Sequence, residues 1–175
     1  MEKKKLTTFD IVLTAMFSAI LIVSKELLAW LPNIEIVTML IILYTRHFPR
    51  HTLYIIYIFA GAECCLYGIT VYSVVYFYVW TLLYLAVLAL RKTDNFWIFF
   101  FVAVMYGFLF GTLCSPIYFF IGGWKMVASW IISGLTFDLI HGLGNAVVML
   151  ALYRPLDHAM AKGLRRLQQI GRAHV

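Results

Sequence analysis

Long apolar runs, interrupted by short polar clusters, make up most of the chain. The clusters separate six apolar segments, at about residues 9–31, 34–45, 53–67, 71–90, 96–121 and 128–153. Apolar residues are continuous within each segment rather than alternating, which favours helices over strands. Several segments approach the roughly 20 residues that a helix needs to cross a bilayer. The pattern predicts an all-α membrane protein: a six-segment transmembrane helix bundle in which residues 1–175 form a single integral membrane domain.

The first polar cluster lies in the stretch LLAWLPNIEIVTMLIILY, between the first two apolar segments. Pro32 is expected to end the first helix, because proline lacks the amide hydrogen that the helix needs. Asn33 and Glu35 would then face a cavity rather than lipid. The second segment is too short to cross ~30 Å of hydrocarbon at ~1.5 Å per residue. We expect this short segment to hold the loop at the mouth of that cavity.

Composition and charge agree with a membrane protein and add an orientation. The chain is 63% hydrophobic and 13% charged, with a formal net charge of +6. All of its 14 basic residues except Lys25 and Lys125 fall at the termini or in the loops near 46–51 and 91–95. The positive-inside rule therefore predicts that both termini are cytoplasmic. Topology accounts for the net charge without a nucleic-acid partner, although the basic tail, 154–175, is expected to touch the lipid bilayer as an interfacial or frayed helix.

Polar and aromatic side chains collect at the predicted outer side. The candidate substrate-binding residues are Asn33, Glu35, Glu63, Tyr67, Tyr72, Tyr76, Trp80, Tyr118 and Trp124. Carboxylates are costly in hydrocarbon, so Glu35 and Glu63 should face a cavity or a cation, for which Lys25 is the candidate. The aromatic residues admit a second interpretation as ordinary anchors at the membrane interface.

The stretch FDLIHGLGN carries the most specific polar pattern. Asp138, His141 and Asn145 are spaced so that all three lie on one face of a helix. They form either a buried polar seam that orients the sixth segment or the floor of a binding cavity. A metal site is the weakest interpretation, because the sequence supplies only two candidate ligands, and we expect no metal and no cofactor.

Small residues mark two places where helices can approach closely. Thr14, Ala15, Ser18 and Ala19 form two ridges in the first segment, and Gly107 and Gly111 form a similar pair in the fifth. The ridges either pack within the bundle or dock onto another membrane subunit. The chain contains no nucleotide-binding P-loop, no HExxH and no GxSxG motif, so we expect no enzyme activity of its own.

The stretches FDIVLTAMFSAILIV, LPNIEIVTMLIILY and FDLIHGLGNAVVMLALYRPL together resemble the S component of an energy-coupling factor (ECF) vitamin transporter. The resemblance covers nearly the whole chain and is greatest to the cobalamin-type members. It implies an outward-facing vitamin site in a prokaryotic plasma membrane protein. It also implies that Ala15 and Ala19 dock on a transmembrane coupling subunit, and that two further ATPase subunits of this ABC transporter supply the energy.

The aromatic outer residues suit a large, amphipathic, roughly neutral ligand. Vitamin B12 (cobalamin) or cobinamide is the first choice, and a smaller heterocycle such as a queuosine or pyrimidine precursor is the second. His141 is expected to lie too deep and too far inward to bind cobalt. Two other functions stay open: a proton-coupled secondary transporter that uses Asp138 and His141, and a membrane enzyme that acts on lipid or isoprenoid through Asp138, His141 and Glu63.

Overall fold

The protein is all-helical over the residues that its computed structural model describes, 7–31 and 34–173, with side chains as far as residue 165. No strand occurs in these ranges. The helices are α1 (Thr8–Leu27), α2 (Val37–His47), α3 (Pro49–Tyr67), α4 (Val71–Leu90), α5 (Phe96–Phe108), α6 (Phe110–Cys114), α7 (Pro116–Val148) and α8 (Arg154–Ala173), with a π-helical turn at Met149–Tyr153 between the last two.

Three helical stretches are long and apolar enough to cross a membrane: α1, α4 and the run 116–165. The predicted class, an all-helical protein with membrane-spanning helices, is confirmed to this extent. Helix α4 begins and ends where the fourth apolar segment does. The expected short second helix is also present, because α2 has 11 residues and is therefore about 16 Å long.

Helix α2 forms the centre of the helix bundle. All of its residues from 37 to 45 are buried, and helices α1, α3, α4, α5 and α7 pack around it. The apolar core includes α2 residues such as Ile41 and Leu43, together with Phe59 from α3, Trp80 from α4 and Phe99 from α5. A helix that is apolar on every side must be covered on every side, which explains why this short segment lies inside.

Paired contacts show how the helices run. His51 at the start of α3 lies 3.0 Å from Asp10 at the start of α1, and Lys25 and Glu63 meet near the ends of the same two helices. Helices α1 and α3 are therefore parallel, with α2 returning between them. One end of the assembly, the cleft end, carries the Lys25–Glu63 pair. The opposite end, the Arg46 end, carries the start of α1 and the end of α2.

The predicted fifth segment, 96–121, is not one helix. It is divided at Leu109, where the backbone leaves the helical region, and again at Ser115. The first break exposes the amide of Gly111, which donates a 2.8 Å hydrogen bond to Asp138 Oδ1. Pro116 follows the second break, at the first position of the next helix, where no amide hydrogen is needed.

The loop expected near 122–125 is a turn at which the chain reverses direction. Tyr118 stacks on Trp130 with 4.1 Å between the ring centroids, and Gly111 meets Asp138, so the residues before Gly122 run antiparallel to those after Gly123. Only Gly122 and Gly123 leave the helical region, and the positive φ of 65° at Gly123 is one that glycine adopts without strain. Helix α7 therefore consists of two helices joined at this turn, and the second continues to Val148, so the helix of the sixth segment begins earlier than residue 128.

Glycines allow α5 and α7 to approach closely. A Cβ on Gly107 would lie 2.7 Å from the Cα of Gly142, and a Cβ on Gly142 would lie 2.2 Å from the ring of Phe108. The glycine pair of the fifth segment thus packs within the assembly, since Gly111 is likewise covered by the Asp138 carboxylate.

The helix continues beyond α7 through the π-helical turn into α8. The turn ends two residues before Pro155, which cannot donate a hydrogen bond to the previous turn. At this end Arg46 donates to Asp157 Oδ1 at 2.9 Å and to the hydroxyl of Tyr153 at 2.6 Å. The predicted tail is helical from Arg154 to Ala173.

Candidate functional site

A cleft of about 480 Å³ opens at the cleft end and is called the Glu35 cleft here. The end of α1 and the following loop form one side, and the end of α3 and the start of α4 form another. Phe110 from α6 and His141 from α7 complete the lining. Because Glu35 lies two residues before the central helix α2, the cleft reaches into the protein rather than lying on its surface.

An ion-pair network forms one wall of this cleft. Lys25 Nζ lies 2.7 Å from Glu63 Oε2 and 3.0 Å from Glu26 Oε1, and it sits 4.2 Å above the ring of Tyr67. The Tyr67 hydroxyl donates to Glu26 Oε2 at 2.6 Å. The predicted pairing of Lys25 with Glu63 is confirmed, and it brings together side chains from α1 and α3.

Glu35 lies on the opposite wall, and its partner is not Lys25. Its Oε1 accepts a 3.0 Å hydrogen bond from the hydroxyl of Thr38 and lies 3.2 Å from His141 Nε2. His141, which is expected to lie deep and toward the inside, thus contacts one of the candidate substrate-binding residues. The loop before α2 descends into the assembly, which brings Glu35 to the level of His141.

The predicted aromatic residues divide into two groups. Tyr67, Tyr72 and Tyr76 line the Glu35 cleft. Trp80 lies beneath it: its side chain is fully buried, its ring centroid is 5.8 Å from that of Tyr76, and its indole nitrogen has no hydrogen-bond partner among the described residues. Trp80 is one helical turn below Tyr76, and therefore supports the cleft without reaching it.

Two other predicted aromatic residues are outside the cleft lining. Tyr118 stacks on Trp130 with a centroid distance of 4.1 Å, and Trp124 is exposed beside Phe119. They lie on either side of the turn at Gly122 and Gly123, and neither lines the Glu35 cleft. Asn33, the remaining candidate, lies outside the described residues.

A second cavity, of about 460 Å³, adjoins the Glu35 cleft and is called the Asp138 cavity here. The two share Tyr72, Phe110 and His141, so these three side chains form a partition between them. Asp138 and Trp130 of α7 lie on the far side of the partition. The sequence does not reveal this cavity, because its shape depends on the break between α5 and α6.

The three polar residues of FDLIHGLGN are all buried, and each contacts a different element. Asp138 accepts from Gly111 in α6, His141 contacts Glu35, and the Asn145 amide donates to the Ala103 carbonyl of α5 at 2.9 Å. The seam and the cavity interpretations thus both describe part of the arrangement. Within the described ranges, no group of three or more His, Cys, Asp or Glu side chains is placed to hold a metal.

The four predicted docking residues face in two directions. Thr14 and Ser18 are buried, and their hydroxyls donate to carbonyls of the preceding turn of α1. Ala15 and Ala19 are exposed on the outward face of the same helix. Only the two alanines are therefore available to another subunit, because the other ridge packs inside.

Several cleft residues are absent from the set predicted from sequence. Thr70 and Ser73 line the cleft and exchange hydrogen bonds in a capping box at the start of α4, a motif that is readable from their spacing. Phe110 also lines it, but no sequence signal distinguishes this residue from the neighbouring phenylalanines.

Comparisons with protein-family models, curated proteins and solved structures find no match for this chain.

Proposed function

We propose that the chain is a substrate-binding membrane subunit, an S component of an ECF-type importer, that captures a small molecule in the Glu35 cleft. The observation that supports this function best is the cleft itself. Its volume lies in the range of roughly 300–1,000 Å³ that is usual for small-molecule sites. Its lining combines tyrosine rings with a few buried polar groups, which suits an amphipathic ligand.

The proposed topology has six membrane segments, with both termini in the cytoplasm of a prokaryotic cell. Arg46, Arg91 and Arg154 belong to the basic loops and tail near the Arg46 end, which the positive-inside rule assigns to the cytoplasm. The Glu35 cleft then opens to the outside. In this proposal a coupling subunit and two ATPase subunits complete the importer.

The size of the cleft favours the smaller of the two ligand classes. A planar heterocycle of vitamin size fits within about 480 Å³. Cobalamin and cobinamide, which the resemblance favours, are larger, and they would need the Asp138 cavity or the space outside the mouth as well. We therefore propose a heterocyclic vitamin or precursor as the substrate, with the corrinoids as the second class to test.

The partner-docking part of this function is tested by enlarging the outward face of α1. Ala15→Trp and Ala19→Trp should abolish uptake and co-purification with the ATPase module but leave ligand affinity unchanged. Ala86→Trp, at an exposed position of α4, is the matched control and should retain uptake. Uptake that survives both α1 substitutions would contradict the docking role.

An independent proton-coupled transporter is the second candidate, favoured by the contact of Glu35 with His141 between two cavities. It predicts uptake into proteoliposomes that contain this chain alone and are driven by a pH gradient. The ECF proposal predicts no uptake under those conditions and uptake only when ATP and the partner subunits are supplied.

A further inference from the structure

Asp138 is a buried carboxylate of α7 that lines a cavity. The residue is only 7% exposed, yet it lies in the wall of a cavity of about 460 Å³. Oδ1 accepts the amide hydrogen of Gly111 at 2.8 Å. Oδ2 accepts no hydrogen bond from any described residue, and no Lys or Arg side chain among them pairs with this carboxylate. A buried carboxylate with a single neutral donor is incompletely compensated.

The neighbouring Glu35 cleft also has more carboxylates than cations in its lining. Its lining contributes two carboxylates, Glu35 and Glu63, and one ammonium group, that of Lys25. Lys25 is already shared between Glu63 and Glu26, and Glu63 Oε1 is buried without a hydrogen-bond partner in the described structure. Together with Asp138, the linings of the two adjoining cavities contain three carboxylates and one permanent cation. The resulting negative electrostatic potential favours a ligand that is positively charged or donates hydrogen bonds.

The walls of the Asp138 cavity indicate the shape of the uncharged part of the ligand. Its walls include the rings of Trp130, Phe137 and Phe110. A Cβ built on Gly134 would meet nothing within 4 Å, so this side of the cavity has free space. Aromatic walls suit a flat ring, and they also stabilise a delocalised cation.

We propose that the Asp138 carboxylate binds the cationic, N–H-donating head of a flat aromatic or heteroaromatic substrate, such as an amidine, an amino-heterocycle or an aminomethyl group. This inference deepens the proposed function and depends on it, because it assigns the cationic head and the ring of the captured molecule to the Asp138 cavity, beside the Glu35 cleft. Charge-assisted hydrogen bonds to a carboxylate are stronger than neutral ones, and an amidine matches both oxygens.

Benzamidine and benzamide are suitable probes, because they have nearly the same shape and differ in charge. We would measure their binding to the purified full chain in detergent by calorimetry. Benzamidine should bind about tenfold or more tightly than benzamide, as expected for a hydrogen bond to a charged group. Asp138→Asn should remove this preference while keeping an oxygen for Gly111. Asp94→Asn is the matched control at an exposed carboxylate, and should retain the preference.

Equal binding of the two probes by the unaltered chain, or a preference that persists in Asp138→Asn, would overturn the inference. Gly134→Leu gives a second test that does not alter Asp138, because its side chain should fill the cavity and abolish benzamidine binding. Should Asp138→Asn fail to fold, benzamidine binding that survives Gly134→Leu would overturn the inference as well.

The two proposals fail in different ways. Benzamidine binding that depends on Asp138, in a chain that binds no vitamin and joins no ATPase module, supports the site and contradicts the importer. Vitamin uptake that is unaffected by Asp138→Asn supports the importer and contradicts this site.

Discussion

The ion pair between Lys25 and Glu63 gives the sharpest prediction about stability. Glu63 is 4% exposed and has one hydrogen-bonded cation, Lys25, at 2.7 Å. Lys25→Met keeps most of the apolar stem but removes the charge. The variant leaves a buried carboxylate whose two oxygens then have no donor among the described residues, since Oε1 already has none.

The expected loss follows from this burial. Breaking a buried pair by removing one partner costs roughly 3–5 kcal/mol, because the other charge stays buried and uncompensated. We expect about 3 kcal/mol for Lys25→Met, the low end, because the cleft admits some water at Lys25. Replacing both partners with apolar residues of similar size is often nearly neutral. Lys25→Met/Glu63→Leu should therefore be more stable than Lys25→Met alone.

The assay is reversible unfolding of the purified protein in mixed micelles, followed by tryptophan fluorescence. The four proteins form a double-mutant cycle: the unaltered chain, Lys25→Met, Glu63→Leu and the double variant. Their unfolding free energies give the coupling energy of the pair directly. A double variant that is less stable than Lys25→Met would refute the reasoning. A loss below about 1 kcal/mol in Lys25→Met would show that the pair behaves as an exposed one.

Two further predictions concern packing and the Arg46 end, and the same unfolding assay measures both. Gly142→Ala should destabilise the protein by about 1–3 kcal/mol, because its Cβ would meet the Phe108 ring at 2.2 Å. Gly134→Ala on the same helix has free space, and should be neutral or stabilising by up to about 1 kcal/mol. Arg46→Ala should cost about 2–3 kcal/mol, because it leaves the Asp157 carboxylate without its guanidinium partner. Asp94→Ala removes the exposed partner of the same arginine and should change stability by less than about 0.5 kcal/mol. An equal loss of unfolding free energy in Gly142→Ala and Gly134→Ala would contradict the packing argument. An equal loss in Arg46→Ala and Asp94→Ala would contradict the argument about the Arg46 end.

The sequence is sufficient to predict the elements whose signals are local. Helix α4 has continuous apolar residues between two polar clusters, and its boundaries agree with the prediction. The pairing of Lys25 with Glu63 also follows from sequence, because a carboxylate in an apolar segment requires a cation and few are available. The short helix α2 follows from the same apolar pattern, although its position at the centre does not.

The features that sequence reasoning misses depend on contacts between distant residues. The break at Leu109 has no proline to mark it, and it is stabilised by Asp138, far along the chain. This break brings Phe110 into the lining of both cavities. Counting residues along the chain puts Glu35 at the outer mouth, because the count cannot include the descent of its loop to His141.

The aromatic residues illustrate the same limit. Tyr72, Tyr76 and Trp80 share one face of α4, and periodicity predicts this correctly. Whether a residue on that face lines the cleft or supports it from below depends on how deeply α2 and α6 fill the space. That depth is a property of the packing, so Trp80 cannot be separated from Tyr76 by spacing alone.

The measurement that tests the central claim most directly is calorimetric titration of the purified chain, without ATP or partner subunits. The panel would contain amino-substituted heterocyclic vitamins and precursors, together with cobalamin and cobinamide. Ala29→Trp, which narrows the Glu35 cleft, serves as the blocked variant, and Ala86→Trp is the matched control.

The account predicts saturable one-to-one binding of one panel member, lost in Ala29→Trp and retained in Ala86→Trp. Binding that is unchanged in Ala29→Trp would contradict the assignment of the cleft as the substrate site. Absence of binding by every panel member, in a preparation that unfolds cooperatively, would contradict the claim that the chain is a substrate-binding subunit for this class of ligand.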